Sequence, residues 1–422
     1  MSIPVEVSEE FDPSIPAILP HDKVYLIQVG YKLFKLSGAS LSSDAPSYFT
    51  TYFLQEENKD SVLFIDRSPT VFEKIYNHLQ GYHINIENDY EFVYLLQDSY
   101  YFCLKRLQRS LEHDNIFANI GGKSFKIPKS LFVQSGNYPN FFSVHYESLF
   151  VDNRRLILAK NTIRPPPQMP PSVPNRSAEL FSDLLEILRG NTVSIRNDAH
   201  RALLVKECRY YRFVELEQRI LKHHILFNPI TKETEIIMNL RDLQSRGIVN
   251  RSRDIKTELQ VQYCRPHIRK EPLRNLIIQI DSTPDSEVKL ILNKHTNVPL
   301  LICTNSVAHS FVHVFRNVAP KFTSDLENNT LGLLCGLSKA KVVINDQELK
   351  EDWFADFFES TDEPDAKRKK TNKNQCQGDF VEFRLIRSLW RVLIRGDLGR
   401  LHAVSIEGST DQVFLNKSID FI

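Results

Sequence analysis

The sequence lacks the residue patterns that mark several common protein classes. Its six cysteines are scattered without a C-x-x-C pair, which argues against a disulfide framework or a zinc ribbon and favours reduced thiols. No uninterrupted apolar run reaches about 18 residues, so we expect no membrane-spanning helix. Lys plus Arg number 53 and Asp plus Glu number 52, so a net charge of +1 gives no overall attraction to nucleic acid or anionic membranes.

What is present indicates a globular protein of several domains. The chain has 422 residues, 42% of them hydrophobic and 25% charged, which is enough for about three domains with separate cores. Residues 1–22 are rich in proline and acidic side chains and carry no leader pattern, so we expect a flexible N-terminal tail.

The first half of the chain contains an internal repeat. VYLIQVGYKLFKL at residues 24–36 matches NIFANIGGKSFKI at residues 115–127, and both patterns predict a strand, a tight turn and a second strand. Gly30 aligns with Gly121, and Phe34 aligns with Phe125. Glycine at these turns, including Gly122, permits a positive φ without any need for a ligand.

The repeat continues into a helix that has the same apolar spacing in both copies. Phe72 begins the apolar stripe in the first copy and Phe181 begins it in the second, and each helix stops at a glycine. A tyrosine pair follows in each copy, Tyr100–Tyr101 and Tyr210–Tyr211. The second copy is longer because of a proline-rich insertion at residues 161–177, which is either a spacer or a ligand for SH3 or WW modules.

These motifs resemble the T1-type BTB/POZ domain of potassium-channel tetramerisation proteins and their soluble relatives. The most specific piece is FIDRSPTVF from Phe64 to Phe72. We assign the first domain to residues 23–113 and a degenerate second domain to residues 114–224, in which Leu156–Asn161 takes the place of that motif. Two such domains in tandem are similar to a small group of fungal proteins that includes stress-linked growth regulators.

The resemblance implies a three-stranded sheet capped by helices in each copy, and a role in protein association. Channel members assemble into rings and soluble relatives recruit cullin-3-type ubiquitin ligases, so we expect self-association or intramolecular pairing of the two copies. Asp66 and Arg67 serve either helix capping and local ion pairing or a subunit contact. The motif residues carried over for structure or interaction are Gly30, Phe34, Phe64, Asp66, Arg67, Phe72, Gly121, Gly122, Phe125 and Phe181.

Residues 225–422 predict a compact α+β domain, so the predicted fold class is α+β throughout. One predicted helix runs from Val307 to Val318 and another from Gln347 to Phe358. The strands predicted around them are Asn275–Ile280, Val288–Leu292, Leu300–Cys303, Lys341–Ile344, Phe380–Ile386 and Leu401–Ile406.

The sequence offers little support for catalysis or for a metal. His309 and His313 are four residues apart on one helix face, but that face lies opposite the apolar stripe, which favours solvated histidines over zinc ligands. No P-loop, nucleophile elbow, dinucleotide-binding or H-E-x-x-H motif occurs, so we expect neither an enzyme nor a cofactor.

Two basic stretches leave a role in the nucleus open. Residues from Arg241 to Arg274 carry a modest excess of positive charge, which is either a solvated surface or a site for phosphates. The polar loop at residues 361–378 contains Lys367, Arg368, Lys369 and Lys370, which fit a nuclear-import signal or an ordinary charged loop. We therefore predict a non-catalytic adaptor in the nucleus, the cytoplasm or both, with a nucleic-acid-associated protein as the alternative.

Overall fold

The computed structural model divides the chain into two compact units, residues 1–217 and 218–422. The described residues are 14–113, 115–133, 136–158, 169–191, 195–249, 258–293, 298–323, 326–350, 353, 380–410, 413 and 416.

The first half of the first unit is a small sheet with helices packed on one face. Its elements are β1 (Val24–Val29), β2 (Lys32–Ser37), α1 (Gly38–Ser42), α2 (Tyr48–Phe53), β3 (Val62–Ile65), α3 (Pro69–Leu79), α4 (Asp89–Tyr101) and α5 (Lys105–His113). The strand order is β2-β1-β3, with β1 antiparallel to β2 and parallel to β3. An aromatic cluster forms its core, because Phe34 and Phe49 both pack edge-on against Phe72.

The second half of this unit repeats the same order of elements. They are β4 (Asn115–Ile120), β5 (Lys123–Pro128), α6 (Phe141–Leu158), β6 (Ser172–Val173), α7 (Ala178–Leu188), α8 (Asp198–Tyr211) and α9 (Val214–Ile220). The strand order is β5-β4-β6, again with one antiparallel and one parallel pair. Phe125 packs edge-on against Phe181 at 5.0 Å between ring centroids, as Phe34 packs against Phe72 at 4.8 Å.

The register of the repeat differs from the sequence prediction after the first hairpin. Leu156–Leu158, expected to replace the FIDR motif, closes helix α6, and residues 159–161 lie outside the described chain. The strand that pairs with β4 as β3 pairs with β1 is Ser172–Val173, inside the predicted insertion at residues 161–177. Arg176 therefore follows β6 as Arg67 follows β3, and Tyr210 corresponds to Tyr101. The sequence pattern did not reveal β6, because the strand has only two residues and the prolines beside it are unusual in strands.

The folded part begins within the predicted flexible tail at residues 1–22. Leu19 is 2% exposed, and its N–H donates to Ser42 Oγ at 3.2 Å. A Cβ atom on Gly38 would lie 1.9 Å from the carbonyl oxygen of Pro20, so only glycine allows the chain to pass this closely. The last residues of that segment thus belong to the packed domain, while residues 1–13 lie outside the described chain.

The described part of the second unit is built on one large sheet, with the helix Asn305–Phe315 packed against it. Its elements are β7 (His223–Asn228), β8 (Glu233–Asn239), β9 (Ile248–Val249), β10 (Leu259–Gln260), β11 (Gln262–Tyr263), β12 (Arg274–Asp281), β13 (Val288–Asn293), β14 (Leu300–Thr304), α10 (Asn305–Phe315), β15 (Leu326–Glu327), β16 (Thr330–Gly336), β17 (Lys341–Ile344), β18 (Gln347–Glu348), β19 (Phe380–Arg395) and β20 (Leu398–Ser409). The pairings close a circuit through β19, β20, β16, β14 and β13, so this part of the sheet curls on itself around buried side chains.

Two predictions for this unit need correction. The helix predicted from Gln347 begins instead as strand β18, which pairs antiparallel with β17. Asn345 and Asp346 join these strands with φ of +51° and +63°, a tight hairpin turn that Asn and Asp favour and that the helix prediction overlooked. The predicted strand Phe380–Ile386 extends to Arg395, because its pairing with β20 carries it well past Ile386.

Candidate protein-interaction surface

The Arg67 guanidinium is held after β3 by a buried carboxylate and an aromatic ring. Arg67 pairs with Asp98 of α4, and both side chains are less than a tenth exposed. The guanidinium also lies 3.7 Å from the centroid of the Tyr101 ring, in cation–π geometry. Ser68 takes the N-cap position of α3 without a side-chain hydrogen bond. The ion-pair partner of Arg67 is Asp98 on α4, 31 residues further along the chain, so this ion pair is not local.

The second half contains the same arrangement. Arg176 pairs with Glu207 of α8 at 3.2 Å, and its guanidinium lies 3.9 Å from the centroid of the Tyr210 ring. The glycine turns are placed against these arginines in the same way. A Cβ on Gly30 would lie 3.3 Å from the carbonyl oxygen of Arg67, and one on Gly121 would lie 2.5 Å from that of Arg176. The glycines therefore serve close backbone packing.

A buried acceptor caps the helix that closes each half. Asp44 accepts hydrogen bonds from the N–H groups of Arg106 and Leu107 at the start of α5, and from His78. Burial opposes ionisation of Asp44, but these hydrogen bonds from His78 and the two N–H groups hold its pKa below the ordinary value. Asn137 takes the same place in the second half, where its side-chain oxygen accepts from the Leu216 N–H at 3.1 Å.

Several of the motif residues carried over from the resemblance lie in the core. Phe34 and Phe125 are 4% and 8% exposed, and Phe72 and Phe181 are fully buried, so they build the two cores and cannot contact a partner. Phe64 is different, because its side chain is 61% exposed on the outer face of the sheet. Asp66 is also exposed.

The outer face of the first sheet carries several exposed apolar side chains. Val62 and Phe64 of β3 are 46% and 61% exposed, and Leu33 of β2 is 48% exposed. The strand register brings them together, because Gln28 of β1 lies between Leu33 and Phe64. We call Leu33, Val62 and Phe64 the sheet-1 patch. The polar side chains of Gln28 and Lys35 share this face with the patch, which is therefore a mixed apolar and polar candidate for an interaction surface.

The centre of the equivalent face of the second sheet is covered within the chain. Phe117 of β4 is 1% exposed, and its ring stacks on Phe92 of α4 with centroids 5.0 Å apart. The hydroxyl oxygen of Tyr146 on α6 accepts a hydrogen bond from the Phe117 N–H. Because β6 pairs only with Asn119–Ile120, this hydroxyl serves an N–H that the short strand does not reach. The two sheets are thus alike in topology but differ in what this face presents. Phe117 is buried, and the positions that match Leu33 and Phe64 are the exposed serines Ser124 and Ser172.

Sequence reasoning did not identify three residues that hold the first unit together, Asp44, Phe92 and Asp98. Asp98 and Phe92 lie on one helix whose pattern was read only through its final tyrosines, and Asp44 carries no local motif. Their partners are distant in sequence, so no local pattern identifies them. An alignment of the two halves that matches Arg176 with Arg67 would have pointed to Asp98 and its counterpart Glu207.

The second unit contains one polar groove but no metal-binding cluster among the described residues. The groove has a volume of about 460 Å³ on the sheet, and Arg387 and Glu407 form an ion pair in it. The described lining contains no histidine, cysteine or aspartate. His309 and His313 are exposed, and His309 is bonded to Asn329 at 3.0 Å. Within the described residues no group of three or more His, Cys, Asp or Glu side chains could hold a metal ion.

The basic stretches are only partly within the described chain. Arg265 and Arg274 both bond to Glu271, and their side chains are 11% and 12% exposed. Burial opposes ionisation of Glu271, but the two arginines lower its pKa and keep it charged. The predicted import cluster, Lys367 to Lys370, lies outside the described residues. As for a membrane, no described helix is both long and apolar enough to cross a bilayer.

Comparison with known proteins assigns both parts of the chain. The sequence family described as the BTB/POZ domain matches residues 26–111, and the family described as the YLR108C C-terminal domain matches residues 254–419. Protein YDR132C of Saccharomyces cerevisiae is 41% identical over 373 residues, covering 75% of this chain and 74% of that protein. The BTB/POZ domain-containing protein YLR108C of the same organism is 40% identical over 240 residues, covering 55% of this chain and 48% of that protein.

The family match at residues 26–111, together with the three-stranded sheet and its helices, identifies the first half as a BTB/POZ domain, a class of module that mediates protein–protein interaction. The predicted first BTB/POZ domain is therefore confirmed. The chain belongs to the family of YDR132C and YLR108C, proteins of Saccharomyces cerevisiae, and has an N-terminal BTB/POZ domain and a β-rich YLR108C-type C-terminal domain.

Proposed function

We propose that this chain is a non-catalytic adaptor whose first BTB/POZ domain holds a partner protein on the sheet-1 patch. The observation that carries the proposal is the exposure of the apolar side chains Phe64, Leu33 and Val62 on the first sheet. The second sheet has exposed serines, Ser124 and Ser172, at the positions that match Leu33 and Phe64. An exposed apolar surface on a domain of this class is suited to contact with another protein surface.

The second half is, in this proposal, a degenerate BTB/POZ domain that pairs with the first inside one chain. Its support is the shared strand order, the shared arginine–carboxylate–tyrosine contact and the shared helix-capping acceptor. The contact between Phe92 and Phe117 joins the two halves and uses the sheet face that would otherwise bind a partner. The first sheet remains available.

The particular partner is an expectation drawn from the family resemblance. A cullin-3-type ubiquitin ligase would make the chain a substrate adaptor, and a role in growth or stress signalling would follow from which protein the second unit holds. We place the protein in the nucleus, the cytoplasm or both, on the basis of the Lys367–Lys370 cluster. Alanine substitution of all four basic residues in a fluorescent fusion is expected to lower the nuclear fraction, and an unchanged distribution would remove that part.

The central experiment compares two matched charge substitutions in the full chain. Phe64→Lys places a charge on the sheet-1 patch, and Phe380→Lys places one at a phenylalanine of the second unit that is also more than half exposed. In a direct pull-down with purified cullin-3, and in quantitative affinity capture, partners should be lost with Phe64→Lys and kept with Phe380→Lys. Identical capture by both variants would show that the sheet-1 patch binds no partner. If the unmodified chain does not bind cullin-3, the proposed role as a ubiquitin-ligase adaptor is wrong.

The basic stretch from Arg241 to Arg274 does not favour a second function in nucleic-acid binding. Arg265 and Arg274 share Glu271, and Arg241 lies 3.8 Å from Asp281, so these charges are partly balanced within the protein. Duplex DNA binding that falls steeply as salt rises would nevertheless be the signature of such a function.

A further inference from the structure

Strand β7 forms an open edge of the second unit. It pairs with β8 on one side, and no other described strand pairs with it. In an antiparallel ladder, alternate residues direct both N–H and C=O away from the paired neighbour, so β7 presents a row of backbone donors and acceptors at this edge.

The side chains of this edge are apolar and exposed. Ile225, Leu226 and Phe227 are 42%, 48% and 66% exposed, in the middle of the strand. Ile225 lies opposite Ile236 of β8, which is fully buried. The core face of the sheet therefore continues outward onto β7, where no described segment covers it.

The edge has none of the usual protections against pairing with another strand. Residues 223–228 contain no lysine, arginine, aspartate, glutamate or proline, and β7 pairs with β8 in unbroken register without a bulge. Exposed edge strands usually carry charges, prolines or bulges because a flat apolar edge invites strand addition. An edge of this kind is expected to be occupied in the working protein.

We propose that β7 pairs antiparallel with β7 of a second copy of this chain, and that the two copies form a two-fold symmetric dimer. The polarity of the strand is symmetric about Leu226: apolar Ile225 and Phe227 flank it, and polar His224 and Asn228 lie outside them. A two-fold contact requires this symmetry, because the same surface supplies both sides.

The symmetric register satisfies both faces of the sheet. It sets Leu226 opposite its own counterpart, Ile225 opposite Phe227 of the other copy and His224 opposite Asn228 of the other copy. Each of these pairs joins residues on the same face, so the apolar core face runs on continuously from one copy into the next. The strand carries no lysine, arginine, aspartate or glutamate, so two copies of it do not repel each other. The same lack of charge gives a strongly acidic or basic partner nothing to pair with.

The dimer does not depend on the proposed adaptor function, because β7 belongs to the second unit and the sheet-1 patch belongs to the first. A dimer through β7 would give each assembly two sheet-1 patches, so a partner with two matching sites would bind with increased apparent affinity.

The first test is the solution mass of the full chain by light scattering across a dilution series. The unmodified chain is expected at twice the 49.0 kDa of one copy, and Leu226→Lys is expected at the mass of one copy. Leu398→Lys introduces the same charge at a leucine that is 63% exposed elsewhere in the unit, and should keep the dimer. A single-copy mass for the unmodified chain, or a dimer that survives Leu226→Lys, would overturn the proposal.

A cysteine pair tests the register and does not depend on how the charged variant folds. Two copies of Leu226→Cys would place their Cα atoms about 4.5–5.5 Å apart, within the range for a disulfide. His224→Cys, on the same strand, would place its two Cα atoms on the order of 13 Å apart, beyond that range. On mild oxidation Leu226→Cys should form a covalent dimer at several times the level of the unmodified chain and of His224→Cys. Equal levels would show that the copies, if they associate, do so elsewhere.

Discussion

Arg176 lies over the ring of Tyr210 at 3.9 Å, and this contact repeats that of Arg67 over Tyr101 at 3.7 Å. In both places a carboxylate from the same helix completes the site, Asp98 in the first half and Glu207 in the second. In each half the arginine thus links the end of the parallel strand to the helix that carries the tyrosine and the carboxylate. Either aspartate or glutamate can supply that carboxylate. The arginine of the first site is the more deeply buried, so its loss is expected to destabilise the protein more than loss of the second.

Replacing Arg67 should destabilise the first domain strongly. Arg67→Ala leaves the buried Asp98 carboxylate without its cation, which typically costs about 3–5 kcal/mol. Arg176→Ala should cost less, because the Arg176 side chain is 34% exposed and water replaces part of the lost contact. Urea unfolding of the full chain measures both losses. Equal losses, or none for Arg67→Ala, would show that the buried pair does not hold α4 in place.

Asp44 should contribute stability that depends on pH. Asp44→Ala leaves the N–H groups of Arg106 and Leu107 without their acceptor, at a cost of about 1–3 kcal/mol. Because the folded pKa of Asp44 lies below its unfolded value, its ionic contribution is complete above about pH 4 and is lost as the pH falls through the folded pKa.

The matched control for this site is Asp44→Asn, which copies the residue found at the equivalent position, Asn137. It keeps one acceptor oxygen and should lose less stability than Asp44→Ala at neutral pH. The difference between the unmodified chain and Asp44→Asn, measured by urea unfolding, should shrink as the pH is lowered below about 4. A difference that stays constant from pH 7 to pH 3 would rule out an ionised Asp44 as the source.

Phe92 should couple the two halves of the first unit. Phe92→Ala removes the ring that stacks on Phe117 and is expected to cost about 3–5 kcal/mol. Phe64→Ala is the control, because Phe64 is 61% exposed and its loss should change stability by no more than about 0.5 kcal/mol. Hydrogen exchange of strand β4 should also accelerate in Phe92→Ala. Unchanged protection of β4 would mean that the halves are stable independently of this contact.

The described cysteines should differ sharply in reactivity. Cys103 is exposed, whereas Cys303 and Cys335 are buried, and burial raises the pKa of both buried thiols to about 12. A maleimide reagent at neutral pH should modify Cys103 in the folded chain and should reach Cys303 and Cys335 only in denaturant. Peptide mass spectrometry resolves the sites. Rapid native labelling of Cys303 would indicate that the closed circuit of strands opens readily.

The sequence predicted the features of the fold that depend on local chemistry. Gly30 and Gly121 were identified as turn residues, and both have the expected positive φ. The helices that begin before Phe72 and Phe181 were found from their apolar spacing. Strand β6 was missed because two paired residues beside prolines carry no alternation, and β18 was missed because its turn residues also suit a helix start.

By itself the sequence determined that the chain begins with a repeated strand–turn–strand unit and its helices, since turns and amphipathic periods act over a few neighbouring residues. Only the tertiary structure decided which sheet face stays open. Leu26 and Phe117 occupy equivalent strand positions, yet only Phe117 meets a helix that buries it, because Phe92 reaches it from another part of the chain. Exposure depends on contacts between distant segments, and no local pattern encodes them.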